Sequence, residues 1–180
     1  MGGIVGMLEI IILGVIQGIT EFLPISSSGH LVIAQNILGI KSPGNTLEVL
    51  FHFGTLMSVV YVFFEDLKQI FLTLNEKNNQ LFIFYIIIAT LPAIFAGLFL
   101  KDYFLIIFDN IRLVGFALCS TGLLLILSKR FKNNQKAIAF SSSIVVGIAQ
   151  AVAIIPGISR SGSTISICMY LGIPPKEAAR

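Results

Sequence analysis

The chain has 180 residues, 56% of them hydrophobic and 12% charged, with a mean hydropathy of +0.93 and a formal net charge of +3. Soluble domains are nearer half apolar and a quarter charged, so the composition excludes an ordinary water-soluble fold and predicts one integral-membrane domain. So greasy a chain with so little net charge also argues against a nucleic-acid partner.

In chain order, residues 4–23 form an apolar run that predicts a helix. No cationic side chain precedes Lys41, which argues against a cleavable signal peptide, and Met1-Gly2-Gly3-Ile4-Val5-Gly6 lacks the hydroxyl residue of a myristoylation signal. The run ends in Gln17-Gly18-Ile19-Thr20-Glu21-Phe22-Leu23-Pro24-Ile25-Ser26-Ser27-Ser28-Gly29-His30, where Pro24, the serines and Gly29 break helical continuity. Residues 31–40 then precede the connector Lys41-Ser42-Pro43-Gly44-Asn45. So short a helix covers roughly 15 Å, half a bilayer. The expectation over 4–40 is a re-entrant hairpin that dips to mid-membrane and returns.

Three apolar runs follow, at 47–64, 81–100 and 112–127, each approaching the ~20 residues that a membrane-crossing helix needs. Polar connectors separate them at 65–80, 101–110 and 128–136. The last connector carries Lys129, Arg130, Lys132 and Lys136, which the positive-inside rule assigns to the cytoplasm. Cys119 and Cys168 sit in apolar runs without paired spacing and read as small core residues.

Residues 137–173 repeat the opening layout: a helix at 137–155, a break at Pro156-Gly157, and a short return at 164–173. Setting Gln17 over Gln150 brings Ile25 to Gly29 into register with Ile158 to Gly162, so Ile-Ser-x-Ser-Gly occurs in both copies. With three spans between them, the two hairpins enter from opposite faces. The predicted fold class is therefore an all-α polytopic membrane protein, an inverted-topology repeat with two re-entrant helical hairpins and about three full transmembrane helices.

Gln17 and Glu21 lie one turn apart on a helix face, an amide oxygen beside a carboxylate, suited to a hard cation such as Mg²⁺ or Ca²⁺. The alternative is a protonated Glu21 hydrogen-bonded to a neighbouring helix. Ser26, Ser27, Ser28 and Gly29 place hydroxyls and backbone N–H groups at a helix start, a ready anion site. His30 offers a general acid or base, against the alternative that the serines are only a helix cap. Arg160, flanked by Ser159 and Ser161 and followed by Gly162 and Thr164, can fork onto phosphate oxygens. Its structural alternative is a permanent pair with Glu21 that pins the hairpins together. His52 reads as a packing histidine or a cavity residue, and Glu9 and Glu48 as interfacial carboxylates. Together these groups point to phosphoryl transfer to water from a phosphate carried on a lipid.

The two polar stretches, Gln17 through Leu31 and Pro156 through Ile165, resemble the paired motifs of the undecaprenyl-diphosphatase family, also known as bacitracin-resistance proteins. The resemblance covers essentially the whole chain. It implies hydrolysis of undecaprenyl diphosphate to undecaprenyl phosphate and inorganic phosphate, recycling the carrier lipid of peptidoglycan synthesis in the bacterial inner membrane. It implies catalytic roles for Glu21, Ser27, His30 and Arg160, supporting hydroxyls at Ser26, Ser28, Ser159, Ser161 and Thr164, and Mg²⁺ or Ca²⁺ on Gln17 and Glu21. It leaves open whether a serine or a water attacks, and implies a site that opens toward the outer face. Family members continue for several more helices, whereas this chain stops at Pro174-Pro175-Lys176-Glu177-Ala178-Ala179-Arg180, so a C-terminal truncation is the expectation. The competing functional readings are a lipid-phosphate transporter or flippase, and an inactive truncated homologue.

Overall fold

The structure is a computed structural model that describes residues 6–40, 46–129 and 138–179, and within them it is all-α. The 41–45 connector and the basic positions Arg130, Lys132 and Lys136 lie outside the described residues. The first hairpin is α1 (Met7–Thr20) and α2 (Ser27–Ile37), joined by turns over 21–25. Then come α3 (Thr46–Val62) and α4 (Phe64–Leu72), bent by 66° at Phe63. Next are α5 (Lys77–Phe99), α6 (Lys101–Phe108) and α7 (Ile111–Ser128). The second hairpin is α8 (Phe140–Val152) and α9 (Arg160–Tyr170), and α10 (Pro175–Ala178) follows.

By length and composition α5 and α7 can cross a membrane, and the bent α3–α4 pair can form a third span. The protein is a multi-pass membrane protein. The 65–80 and 101–110 connectors, read from the sequence only as polar, carry most of α4 and all of α6. Each has carboxylates in its first turn, Glu65 and Asp66 in α4 and Asp102 in α6, where the helix dipole favours negative charge. Helix α5 has no buried residue, and Phe95, Leu98 and Phe99 are exposed along it. Such a surface is stable in lipid and costly in water. Cys119 is exposed on α7 and is not a core residue.

Small residues let the helices approach closely, as membrane packing requires. A methyl added at Gly147 of α8 would lie 2.8 Å from the Ala89 carbonyl oxygen and 3.1 Å from Pro92, so α8 rides directly on the α5 backbone. The hairpin tips meet in a reciprocal way. A methyl at Gly29 would lie 2.8 Å from Gly157 Cα, and one at Gly162 would lie 2.7 Å from the Pro24 carbonyl oxygen. In the Gln17-over-Gln150 register Gly29 corresponds to Gly162 and Pro24 to Gly157. The two contacts are therefore one contact made twice, the mark of a two-fold interface. Helix α7 backs this junction, with Leu118 against Gly29 and the Val114 carbonyl and Ala117 against Gly157.

The repeat also runs further than the motif. Helices α2 and α9 both end in a left-handed glycine, Gly39 at φ 69° and Gly172 at φ 91°. Ile40 N–H then bonds Gln35 O, and Ile173 N–H bonds Cys168 O, closing the same glycine-capped turn in each copy.

Candidate active site

Both hairpin breaks present the start of a helix to the same space. At the first, Ser26 caps α2 by accepting from Gly29 N–H at 3.4 Å, with its Oγ 3.3 Å from Ser28 Oγ. At the second, Ser159 caps α9 by accepting from Gly162 N–H at 3.0 Å, with its Oγ 3.3 Å from Ser161 Oγ. The remaining first-turn N–H groups, on Ser27 and Ser28 and on Arg160 and Ser161, have no acceptor within their own helices, which leaves them for an anion. Ser26 holds φ at 69°, a strained conformation for a non-glycine residue, whereas Ser159 sits at an ordinary −72°. The second break takes its positive φ at buried Gly157 instead, at 98°. Thr121 of α7 fixes that bend: its hydroxyl donates to Gly157 O at 2.9 Å and accepts from Ser159 N–H at 3.0 Å.

Between the tips lies a cleft of about 810 Å³, large enough for a lipid headgroup. Glu21, Ser26, Ser27, Ser28, Ser159, Arg160, Ser161 and Thr164 line it. Apolar Val49, Ala93, Ile94, Phe108 and Ile154 line it as well, so the polar pocket adjoins a greasy wall. Gly29 and Gly162 are buried behind it as packing points and cap donors.

Glu21 follows the last turn of α1 and is the centre of the polar contacts. Its Oε2 accepts from Ser27 Oγ at 2.5 Å and from Gln17 Nε2 at 3.0 Å, and lies 3.4 Å from His52 Nε2. The alternative of a permanent Glu21–Arg160 pair is not met; Glu21 faces His52 instead. Among the described residues the Arg160 guanidinium has no ion pair, and the residue is exposed to the cleft.

His30 stands in the first turn of α2. Its Nδ1 is 2.7 Å from the Ser26 carbonyl, which can only accept, so Nδ1–H donates there and braces the strained turn. The ring is not among the residues lining the cleft. Glu48, read as interfacial, is 5% exposed and lines the cleft; Gln35 donates to its Oε1 at 2.6 Å. Thr121 drew no expectation from the sequence, Glu48 was read as interfacial, and of the two readings of His52 the cavity one holds. Their signal was weak: single polar residues in apolar runs, resolved only by what packs opposite.

The cation expectation has one structural foothold. Gln17 is 1% exposed and its Oε1 is buried without a hydrogen-bond partner, although its Nε2 reaches Glu21 and, at 3.5 Å, Thr55. An orphaned amide oxygen one turn from a carboxylate fits a hard cation. No cluster of three or more His, Cys, Asp or Glu residues able to hold a metal occurs among the described residues. Substrate oxygens and water would therefore supply the remaining ligands.

Comparison with known proteins follows the same residues. A family model described as bacitracin resistance protein BacA matches residues 10–180. An undecaprenyl-diphosphatase of Halothermothrix orenii is 43% identical over 175 residues, covering 96% of this chain and 67% of that protein. One of Syntrophotalea carbinolica is 42% identical over 182 residues, covering 96% and 69%. A third, undecaprenyl-diphosphatase 2 of Bacillus thuringiensis, is 41% identical over 185 residues, covering 97% and 68%.

Proposed function

This chain belongs to the bacitracin resistance protein BacA family, and from that premise we propose that it hydrolyses undecaprenyl diphosphate to undecaprenyl phosphate and inorganic phosphate. The reading makes it a carrier-lipid recycling enzyme of the bacterial inner membrane, with its cleft open toward the outer face and with bacitracin resistance as a consequence. One observation carries it: the 2.5 Å contact of Ser27 Oγ with Glu21 Oε2, in a cleft that also holds Arg160 and two helix starts.

In this reading the terminal phosphate lies between the α2 and α9 starts, held by their N–H groups, the serine hydroxyls and a forked contact from Arg160. Glu21 takes the Ser27 proton as Oγ attacks phosphorus. The Oγ–P bond forms, the anhydride P–O bond breaks, and undecaprenyl phosphate leaves with the electron pair. Water then displaces Ser27 from phosphorus, and the proton on Glu21 returns to Oγ. His30 keeps the Ser26 turn in shape throughout. Gln17 and Glu21 would hold Mg²⁺ or Ca²⁺, whose chemistry is to neutralise the diphosphate charge. The apolar wall at Ala93, Ile94 and Phe108 accepts the first isoprene units.

The test is phosphate release from undecaprenyl diphosphate by the purified chain in detergent. Turnover that EDTA stops and Mg²⁺ or Ca²⁺ restores supports the reading; lipid transfer across vesicles without phosphate release sinks it. For orientation, a cysteine introduced by Lys132→Cys should react with an impermeant reagent only from the cytoplasmic side.

A further inference from the structure

We propose that His52 is a positioning residue for Glu21, holding the carboxylate against Ser27. The inference rests on the hydrolytic reading above and adds a helix to it. Glu21 lies past the end of α1, in the turn that leads to the break, and its side chain keeps about a quarter of its surface exposed, 26%. Gln17 of α1 and Ser27 at the start of α2 already reach its Oε2, and a hold from a third element fixes it against both.

Helix α3 supplies that hold at two successive points. His52 Nε2 stands 3.4 Å from Glu21 Oε2, and Thr55 Oγ1, nearly one turn on, stands 3.5 Å from Gln17 Nε2. The Gln17–Glu21 pair of α1 therefore faces the His52–Thr55 pair of α3, register against register. The imidazole is itself fixed. Its Nδ1–H donates to the Glu48 carbonyl at 2.7 Å, which sets the ring plane and turns Nε2 toward the carboxylate; with Nδ1–H so used, Nε2 donates to Oε2 as the imidazolium. The Glu48 side chain is in turn tied to Gln35 of α2 at 2.6 Å. A closed circuit results, from α2 through Glu48 and His52 to Glu21 and back to Ser27 at the start of α2. His30 supplies a contrast inside the same molecule. Its Nδ1 makes the same bond to the carbonyl four residues earlier, but its ring does not line the cleft.

The experiment compares His52→Ala and His52→Gln with the unmodified chain. A displacement of about 1 Å at a reacting group costs up to roughly a hundredfold, so His52→Ala should lower kcat by about ten- to a hundredfold while KM stays within about twofold. His52→Gln, whose amide can donate to the same oxygen, should recover most of the loss. Wild-type kcat in a folded His52→Ala protein, a change confined to KM, or a loss that glutamine does not recover would each overturn the proposal. Absence of phosphate release by the unmodified chain would instead strike the hydrolytic reading. The contact is also read without turnover, from the ¹⁵N resonance of His52 Nε2, assigned by its loss in His52→Gln. Glu21→Gln should shift that resonance, and an unmoved resonance refutes the contact.

Discussion

Hairpin α1–α2 and hairpin α8–α9 cap their second helices with the same residue, Ser26 and Ser159, and end them on the same glycine turn, at Gly39 and Gly172. At the positions that carry charge they part. Glu21 corresponds to Ile154, Ser27 to Arg160, and His30 to Ser163. What is duplicated is backbone: two breaks, two helix starts turned to one cleft, two glycines seated on the opposite loop. What is divided is chemistry, an acid with its serine on one tip and a fixed cation on the other. Two copies of Glu21 or two of Arg160 in one low-dielectric cleft would repel, a cost that the unlike charges of this cleft avoid.

Removing either charge should have the largest effect. Glu21→Gln and Arg160→Ala should each lower kcat/KM by about a thousandfold or more, the scale on which a phosphoryl-transfer arginine acts. Comparable activity in either variant would break the division of labour between the tips.

The next test concerns the two glutamines, which share a register position and of which the proposed reading gives only Gln17 to the cation. Gln17→Ala should raise the Mg²⁺ concentration for half-maximal turnover by roughly ten- to a hundredfold, whereas Gln150→Ala should leave it near the unmodified value. Equal shifts would mean that the cation does not distinguish the copies.

Stability tests address what the copies share. Gly29→Ala and Gly162→Ala should each destabilise by about 1–3 kcal/mol through overpacking, read as a lowered Tm in detergent. A drop in only one of them would contradict the reciprocal contact. Smaller still, Ser159→Ala should lose about 1 kcal/mol of capping. Ser26→Gly should lose less, since glycine relieves the positive φ while removing the same cap. An equal loss at both would mean that the strain at Ser26 is not real.

Much of this was legible in the chain because membranes restrict the vocabulary. Pro24 and Pro156-Gly157 break apolar runs too short to cross twice, and the 47–64, 81–100 and 112–127 runs fall on α3, α5 and α7. Glu21 and Arg160 stood out because charge in hydrocarbon is rare. The same criterion undervalued Thr121 and Glu48. A threonine in a transmembrane helix usually bonds its own preceding turn, and a carboxylate two residues into a helix usually reaches water. Their roles depend on Gly157 and Gln35, which lie 36 and 13 residues away.

The two histidines mark the boundary between what each level decides. Composition, the two breaks and the repeated Ile-Ser-x-Ser-Gly determine an all-α membrane protein with paired helix starts, because those properties follow from hydrocarbon and from local backbone chemistry. Which imidazole faces Glu21 is not a local property. Both rings dock Nδ1 on the carbonyl one turn back, and only the packing of α3 beside α1 puts Nε2 of His52 near the carboxylate. Side-chain partners across helices are set by tertiary contact, and one chain read in order holds no record of them.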